Sequence, residues 1–161
     1  MGTEQRCPCG SGEVYAACCG LLHDGVPAET ALALMRSRYT AYVRGDVDYL
    51  SATQQDRIDR AAVAKWARDT IWLGLEIVAT ERGGPDDTDG IVEFIARGAT
   101  SGKPFAQRER CGAKRHTEEQ QFVRHSAHST QHVAADGCHG AQKAQHGADG
   151  RAPPAPTTSR T

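Results

Sequence analysis

The sequence has almost no charge imbalance: 19 Lys and Arg stand against 20 Asp and Glu, a formal net charge of -1. A dedicated nucleic-acid binder usually carries a clear basic excess, so that class is disfavoured. A long apolar run is also missing. No stretch approaches the roughly 20 apolar residues that a membrane-spanning helix needs. The opening MGTEQRCPCG has no apolar core of the kind a secretory signal requires. A soluble, cytoplasmic protein with no membrane span is expected. At 161 residues the chain has room for one domain and a small extra module, not two full domains.

Another shortage is local. From Cys111 to Thr161 there is no Leu, Ile, Met, Trp or Tyr, and the only large apolar residues are Phe122, Val123 and Val133. Six of the seven histidines fall here, and the segment ends in GRAPPAPTTSRT. Such a composition cannot bury enough apolar surface to offset its chain entropy. The expectation is a disordered or irregular tail over 111–161. His125, His128, His132 and His139 can bind metal only adventitiously, without an ordered second shell.

What is abundant is sulfur at the front. Four of the six cysteines lie within thirteen residues: Cys7-Pro8-Cys9, eight intervening residues, then Cys18-Cys19. Structural zinc takes four tetrahedral ligands, and thiolates serve well. A C-x-C pair can place two sulfurs on one side of an ion, and Cys18-Cys19 can supply two more where the chain bends. Gly10, Gly12 and Gly20 permit such bends. The stretch VYAAC reads as one helical turn delivering Cys18, with Val14 and Tyr15 covering the site. Disulfides compete with this reading, but vicinal and C-x-C disulfides are strained and cytosolic thiols stay reduced. Merely buried thiols would need a core that so short an arm does not have. The residues therefore point to one structural zinc held by Cys7, Cys9, Cys18 and Cys19. Zinc would replace a hydrophobic core, contributing roughly 10–16 kcal/mol of apparent folding energy in small fingers.

The C-x-C-x8-C-C spacing, with CPCGSG and a following Tyr, resembles the SEC-C motif, a small zinc module also found at the C-terminus of the SecA translocation ATPase. The module is expected over 4–22. In SecA it is a docking element, so the resemblance implies a protein partner, ribosome- or translocation-associated.

Next comes a helix. Thr30 is placed to cap it, and Leu32, Met35, Tyr39, Tyr42 and Val43 form one apolar face. Gly45 ends it, and Asp46 caps a short second helix through Tyr49 and Leu50. A third spans Ala61 to Arg68, with Asp59 as cap and Val63, Trp66 and Ala67 inward. The period then changes to two. IWLGLEIVAT, residues 71–80, sets Ile71, Leu73, Leu75 and Ile77 against Trp72, Gly74, Glu76 and Val78, a strand covered on much of both faces. GGPDDTDG is a turn, and IVEFIAR, residues 91–97, is a second strand antiparallel to the first. Helices followed by a hairpin define an α+β domain, expected over 28–110.

ALMRSRYTAYVRGDVDYL, followed by WLGLEI and a VEF strand, is similar to the YchJ-like bacterial proteins. Those join a SEC-C module to a cone-shaped domain like nuclear transport factor 2, and they have no settled biochemical activity. The likeness covers about residues 4–97. It implies two more long strands, for which residues 98–110 supply only part of one, around Pro104 to Arg108. Beyond that, QFVR at 121–124 alone has strand character. Two readings of 111–161 stay open, a natural short variant with a disordered extension and a reading-frame disruption. Either leaves an incomplete sheet with an unpaired edge, an aggregation risk. Cys111 and Cys138 do not reproduce a second SEC-C module.

Cone-shaped domains often hold a pocket between sheet and helices. Its candidate lining is Tyr39, Tyr42, Trp66, Trp72, Glu76 and Glu93. No catalytic residue is assigned: there is no Gly-rich phosphate loop and no Ser-His-Asp set, and His23 sits in a linker. Arg36, Arg38 and Arg44 read as a basic, solvated strip on the first helix. The overall expectation is a zinc-binding interaction protein. The alternative is a small-molecule-binding protein or hydrolytic enzyme using the cone pocket.

Overall fold

A computed structural model gives the fold and describes residues 5–116 and 121–125. In these residues four helices precede a four-stranded antiparallel sheet, the expected α+β order. The helices are α1 (Cys19–His23), α2 (Ala31–Arg44), α3 (Val47–Ala52) and α4 (Arg60–Asp69). Their starts follow from local chemistry. The side chains of Thr30, Asp46 and Asp59 accept the backbone N–H of Ala33, Tyr49 and Ala62 respectively. Each cap is worth about 1 kcal/mol. Gly45 ends α2 in the left-handed conformation, φ 72°, which its missing side chain permits.

α2 is more enclosed than a surface helix. One side packs Ala31, Leu34 and Met35 against Val92, Cys111 and Ala113 of the sheet. Another sets Ala41 against Leu50 and Val63. A third carries Thr40 beneath the cysteine cluster. This corrects two expectations. Leu32 and Val43 are only half-buried, while the polar Ser37 and Thr40 are fully buried. The basic strip is broken, because Arg38 is buried within the domain. Its Nη1 donates to the Leu50 carbonyl and Thr53 Oγ1, and its Nη2 donates to Gln54 Oε1.

The sheet is a meander of β1 (Thr70–Arg82), β2 (Asp89–Thr100), β3 (Lys103–His116) and β4 (Gln121–His125), adjacent in chain order. β1 carries two bulges, where Leu73 and Val78 have no partner in the register with β2. Each extra residue is exposed and reverses the inward face. Trp72 therefore lies inward before the first bulge, and Ile77 packs on the core after it. Ile71 is 66% exposed, so the expectation that β1 is covered on both faces fails near its start.

β2 and β3 are joined through Ser101 and Gly102, at φ 52° and 77°, the two left-handed residues of a tight hairpin. The loop between β1 and β2 is also tightly built. Gly83, at φ 79°, lies against α2, and a Cβ there would sit 2.6 Å from Ala31 Cβ. Arg115 laces this loop from β3, donating to the carbonyls of Gly84, Pro85, Asp87 and Glu29.

β3 does not stop at residue 110. It continues through His116, burying Cys111 and Ala113, and its Gly112–His116 segment pairs with β4. Placing the domain boundary at 110 was thus too early. Inward positions on β3 include Gln107, Glu109 and Arg115, so an apolar period could not reveal the strand. Among the described residues, no strand covers Lys103–Cys111 on the side away from β2. The remainder of the tail, 117–120 and 126–161, lies outside the described residues.

Candidate functional site

The N-terminal segment folds as a knuckle. Residues 6 and 14 form an antiparallel bridge, closed by Cys7 N–H to the Glu13 carbonyl and Tyr15 N–H to the Gln5 carbonyl, both 2.8 Å. Gly10 and Gly12 turn the loop at φ 76° and 86°. A 3-10 turn, Tyr15–Ala17, then presents Cys18, and Cys19 opens α1.

This path brings together the sulfurs of Cys7, Cys9, Cys18 and Cys19, all within 4.8 Å of one another. Cys9 and Cys18 Sγ are 3.6 Å apart, and Cys18 and Cys19 Sγ 3.9 Å. Four sulfurs at about 2.3 Å from a common tetrahedral centre stand about 3.8 Å apart. Disulfide partners sit at about 2.05 Å, and these four cysteines are unbonded. The donor set therefore fits a metal ion. Cys7, Cys9 and Cys19 are buried, with Tyr15 packed alongside.

The electrostatics of the bare thiols point the same way. Cys9 is pulled down to about 4, first by a hydrogen bond from Cys19, with Ser11 and Cys7 adding and burial opposing. Cys19 is pushed far up, chiefly as that donor and then by burial. Burial leads the upward shift of Cys18. Without a cation the cluster can hold negative charge only by sharing its remaining protons; a cation lets all four sulfurs be thiolates. Two hydroxyls support the sulfurs from outside: Ser11 Oγ at 3.3 Å from Cys18 Sγ, and Thr40 Oγ1 at 3.7 Å from Cys7 Sγ.

His23 joins the knuckle to the domain. It is no linker residue: its side chain is only 4% exposed. Its Nε2 donates to the Ser37 carbonyl, and its Nδ1 accepts from the Tyr15 hydroxyl, both at 3.0 Å. The ring packs on Tyr49 at 4.4 Å between centroids. Tyr49 OH bonds Ser37 Oγ at 2.7 Å, and Arg44 lies over the Tyr15 ring. No periodicity flags a lone histidine after a metal motif, so the sequence reading missed this joint.

A cavity of about 60 Å³ lies between α2, α4 and the sheet. Tyr39, Tyr42, Trp66 and Trp72 line it together with Met35, Arg38, Phe94, Ala96, Gln107 and Glu109, and the last six carried no signal for a cavity in the sequence. Adjacent rings meet edge to face: Tyr42–Trp66 at 5.1 Å, Trp66–Trp72 at 4.6 Å and Tyr39–Trp72 at 5.5 Å. Glu76 and Glu93 are corrections. The bulge at Leu73 moves Glu76 off the face of Trp72, and Glu93 alternates with inward Val92 and Phe94. Both pair with arginines outside the cavity, Glu76 with Arg97 at 2.8 Å and Glu93 with Arg108 at 2.6 Å.

Among the described residues, no helix is long and apolar enough to cross a membrane. Residues 5–21 match the SEC-C motif. The solution structure of a SEC-C motif containing protein from Rhodopseudomonas palustris is similar, with 32% identity and a TM-score of 0.65, over 74% of this chain and 94% of that one. The crystal structure of a SEC-C motif containing protein from Psychrobacter arcticus is similar at 28% identity and a TM-score of 0.66, over 81% of this chain and 85% of that one. Residues 30–130 match the family described as YchJ, middle NTF2-like domain. A motif-bearing knuckle packed on such a domain leaves one assignment: the chain belongs to the YchJ-like family, with a SEC-C motif preceding an NTF2-like α+β domain.

Proposed function

We propose that the protein is a zinc-braced interaction module. Cys7, Cys9, Cys18 and Cys19 hold one zinc ion in a closed structural site, and the ion fixes the knuckle on α2 for docking to a protein partner. The observation carrying this reading is the convergence of all four sulfurs within 4.8 Å. Four protein ligands fill a tetrahedron, which leaves no position for an activated water. Support for docking comes from the motif and from the surface beside it. Leu21 and Val26 are 45% and 50% exposed next to a groove lined by Leu22, Leu32, Ala33 and Arg36. The partner class is ribosome- or translocation-associated, and the setting is the cytoplasm.

Native mass spectrometry of purified protein should find one zinc per chain. Cys9→Ser or Cys18→Ser should empty the site and raise amide exchange over residues 5–23, while α2 stays protected. Undiminished metal content would overturn the ligand set. The intact protein should co-sediment with purified ribosomes or with vesicles carrying the translocation machinery, and Cys9→Ser should not. No binding of the intact protein to either would overturn the docking reading.

A further inference from the structure

The cavity in the domain stands apart from the metal site and from the docking surface, and its walls say what they can hold. Three properties of those walls matter. They are aromatic and rigid, because Trp66 meets Tyr42 and Trp72 edge to face at 88° and 84°. They carry both signs of charge, since Arg38 and Glu109 both line the space with the amide of Gln107. They also contain an unanswered donor: Trp72 Nε1–H is buried and has no hydrogen-bond partner among the described residues. A buried N–H left unmatched is destabilising unless something enters to accept from it.

Each property excludes a ligand class. An aromatic box alone would suit an ammonium ion, but the Arg38 guanidinium in the wall repels a second cation. An anion would suit Arg38 but meets the Glu109 carboxylate. A wholly apolar guest leaves Trp72 Nε1–H unmatched. Volume sets the size: about 60 Å³ is room for roughly two waters or a group of about four non-hydrogen atoms. What remains is small and neutral, with an acceptor for Trp72 and a donor for the oxygens of Glu109 or Gln107.

We propose that the cavity bounded by Trp66, Trp72, Arg38 and Glu109 is a binding site for a small neutral carboxamide. The amide occupies the space that these rings border, its carbonyl accepts from Trp72 Nε1–H, and its NH₂ donates toward the Gln107–Glu109 edge. A guest of four atoms binds no tighter than roughly tens of micromolar, and the expected dissociation constant is about millimolar.

The chain has two tryptophans, and both line this cavity. Two indole N–H resonances therefore report on it alone. The experiment titrates ¹⁵N-labelled full-length protein with acetamide, and in parallel with acetate and methylammonium. Acetamide should shift the Trp72 resonance saturably, with each ion binding at least about tenfold more weakly. Trp72→Phe, followed through the Trp66 resonance, should weaken acetamide about fivefold. Gln107→Leu should also weaken it, and it keeps the tryptophan pair should Trp72→Phe not fold. The proposal is overturned by an absence of saturation up to about 100 mM acetamide. It is equally overturned by either ion matching acetamide, or by unchanged affinity in the folded variants.

Discussion

Arg38 shows how much one side chain decides here. It enters the interior from the middle of α2 and is 2% exposed. There it answers the Leu50 carbonyl, Thr53 Oγ1 and Gln54 Oε1 at the end of α3. Replacing it with Leu keeps an apolar stem but leaves a gap and strips those acceptors of a donor, so Arg38→Leu should lower stability by about 3 kcal/mol in urea denaturation. Arg44, exposed over the Tyr15 ring, should cost under about 1 kcal/mol as Arg44→Ala. Equal losses would refute the distinction. Two glycines make a second pair. Gly45 has open space around its Cβ position, and Asn tolerates its φ. Gly83 has a positive φ and the Ala31 methyl in the way. Gly83→Ala should therefore cost about 2 kcal/mol, several times the loss from Gly45→Asn, by the same measurement.

At the scale of elements, legibility followed the range of the forces involved. Helix starts were readable because a cap is a local event: Thr30, Asp46 and Asp59 each bond an amide three residues on. The clustering of four cysteines was readable from spacing for the same reason. The strands were read less well. A bulge is set by pairing with another strand, and nothing in IWLGLEIVAT marks Leu73 or Val78 as the extra residue. Glu76 was consequently placed on the wrong face. β3 is legible only in part, around Pro104 to Arg108, for another reason: the cavity makes Gln107 and Glu109 inward residues, which erases the apolar alternation. The Ser-Gly pair at 101–102 was the one local sign of its hairpin. Ser101 holds φ 52° there, a conformation Asn adopts more readily. Ser101→Asn should raise the melting temperature by about 2–4 °C in a calorimetric scan. A fall would mean that Ser101 contributes something other than turn geometry.

For the whole molecule, the sheet and the knuckle set the limits of what can be removed. Ending the chain after Arg110 deletes buried Cys111 and Ala113, the Arg115 lacing and the pairing to β4. Such a truncation should lose its cooperative unfolding transition in circular dichroism. Retention of a sharp melt would show that β1, β2 and the shortened β3 suffice to hold the core. The domain also depends on what lies in front of it. Thr40 reaches the cysteine cluster from within α2, and Ser37 receives the imidazole of His23.

That shared boundary has a consequence for transplantation. Residues 5–23 cannot be lifted out as a ready-made tag, because the acceptor for His23, the ring beneath it and the hydroxyl beside Cys7 all belong to the host. A recipient scaffold would have to bring its own counterparts of Ser37 and Thr40, a helical turn apart, and of Tyr49 from a neighbouring helix, before the borrowed piece could stand upright.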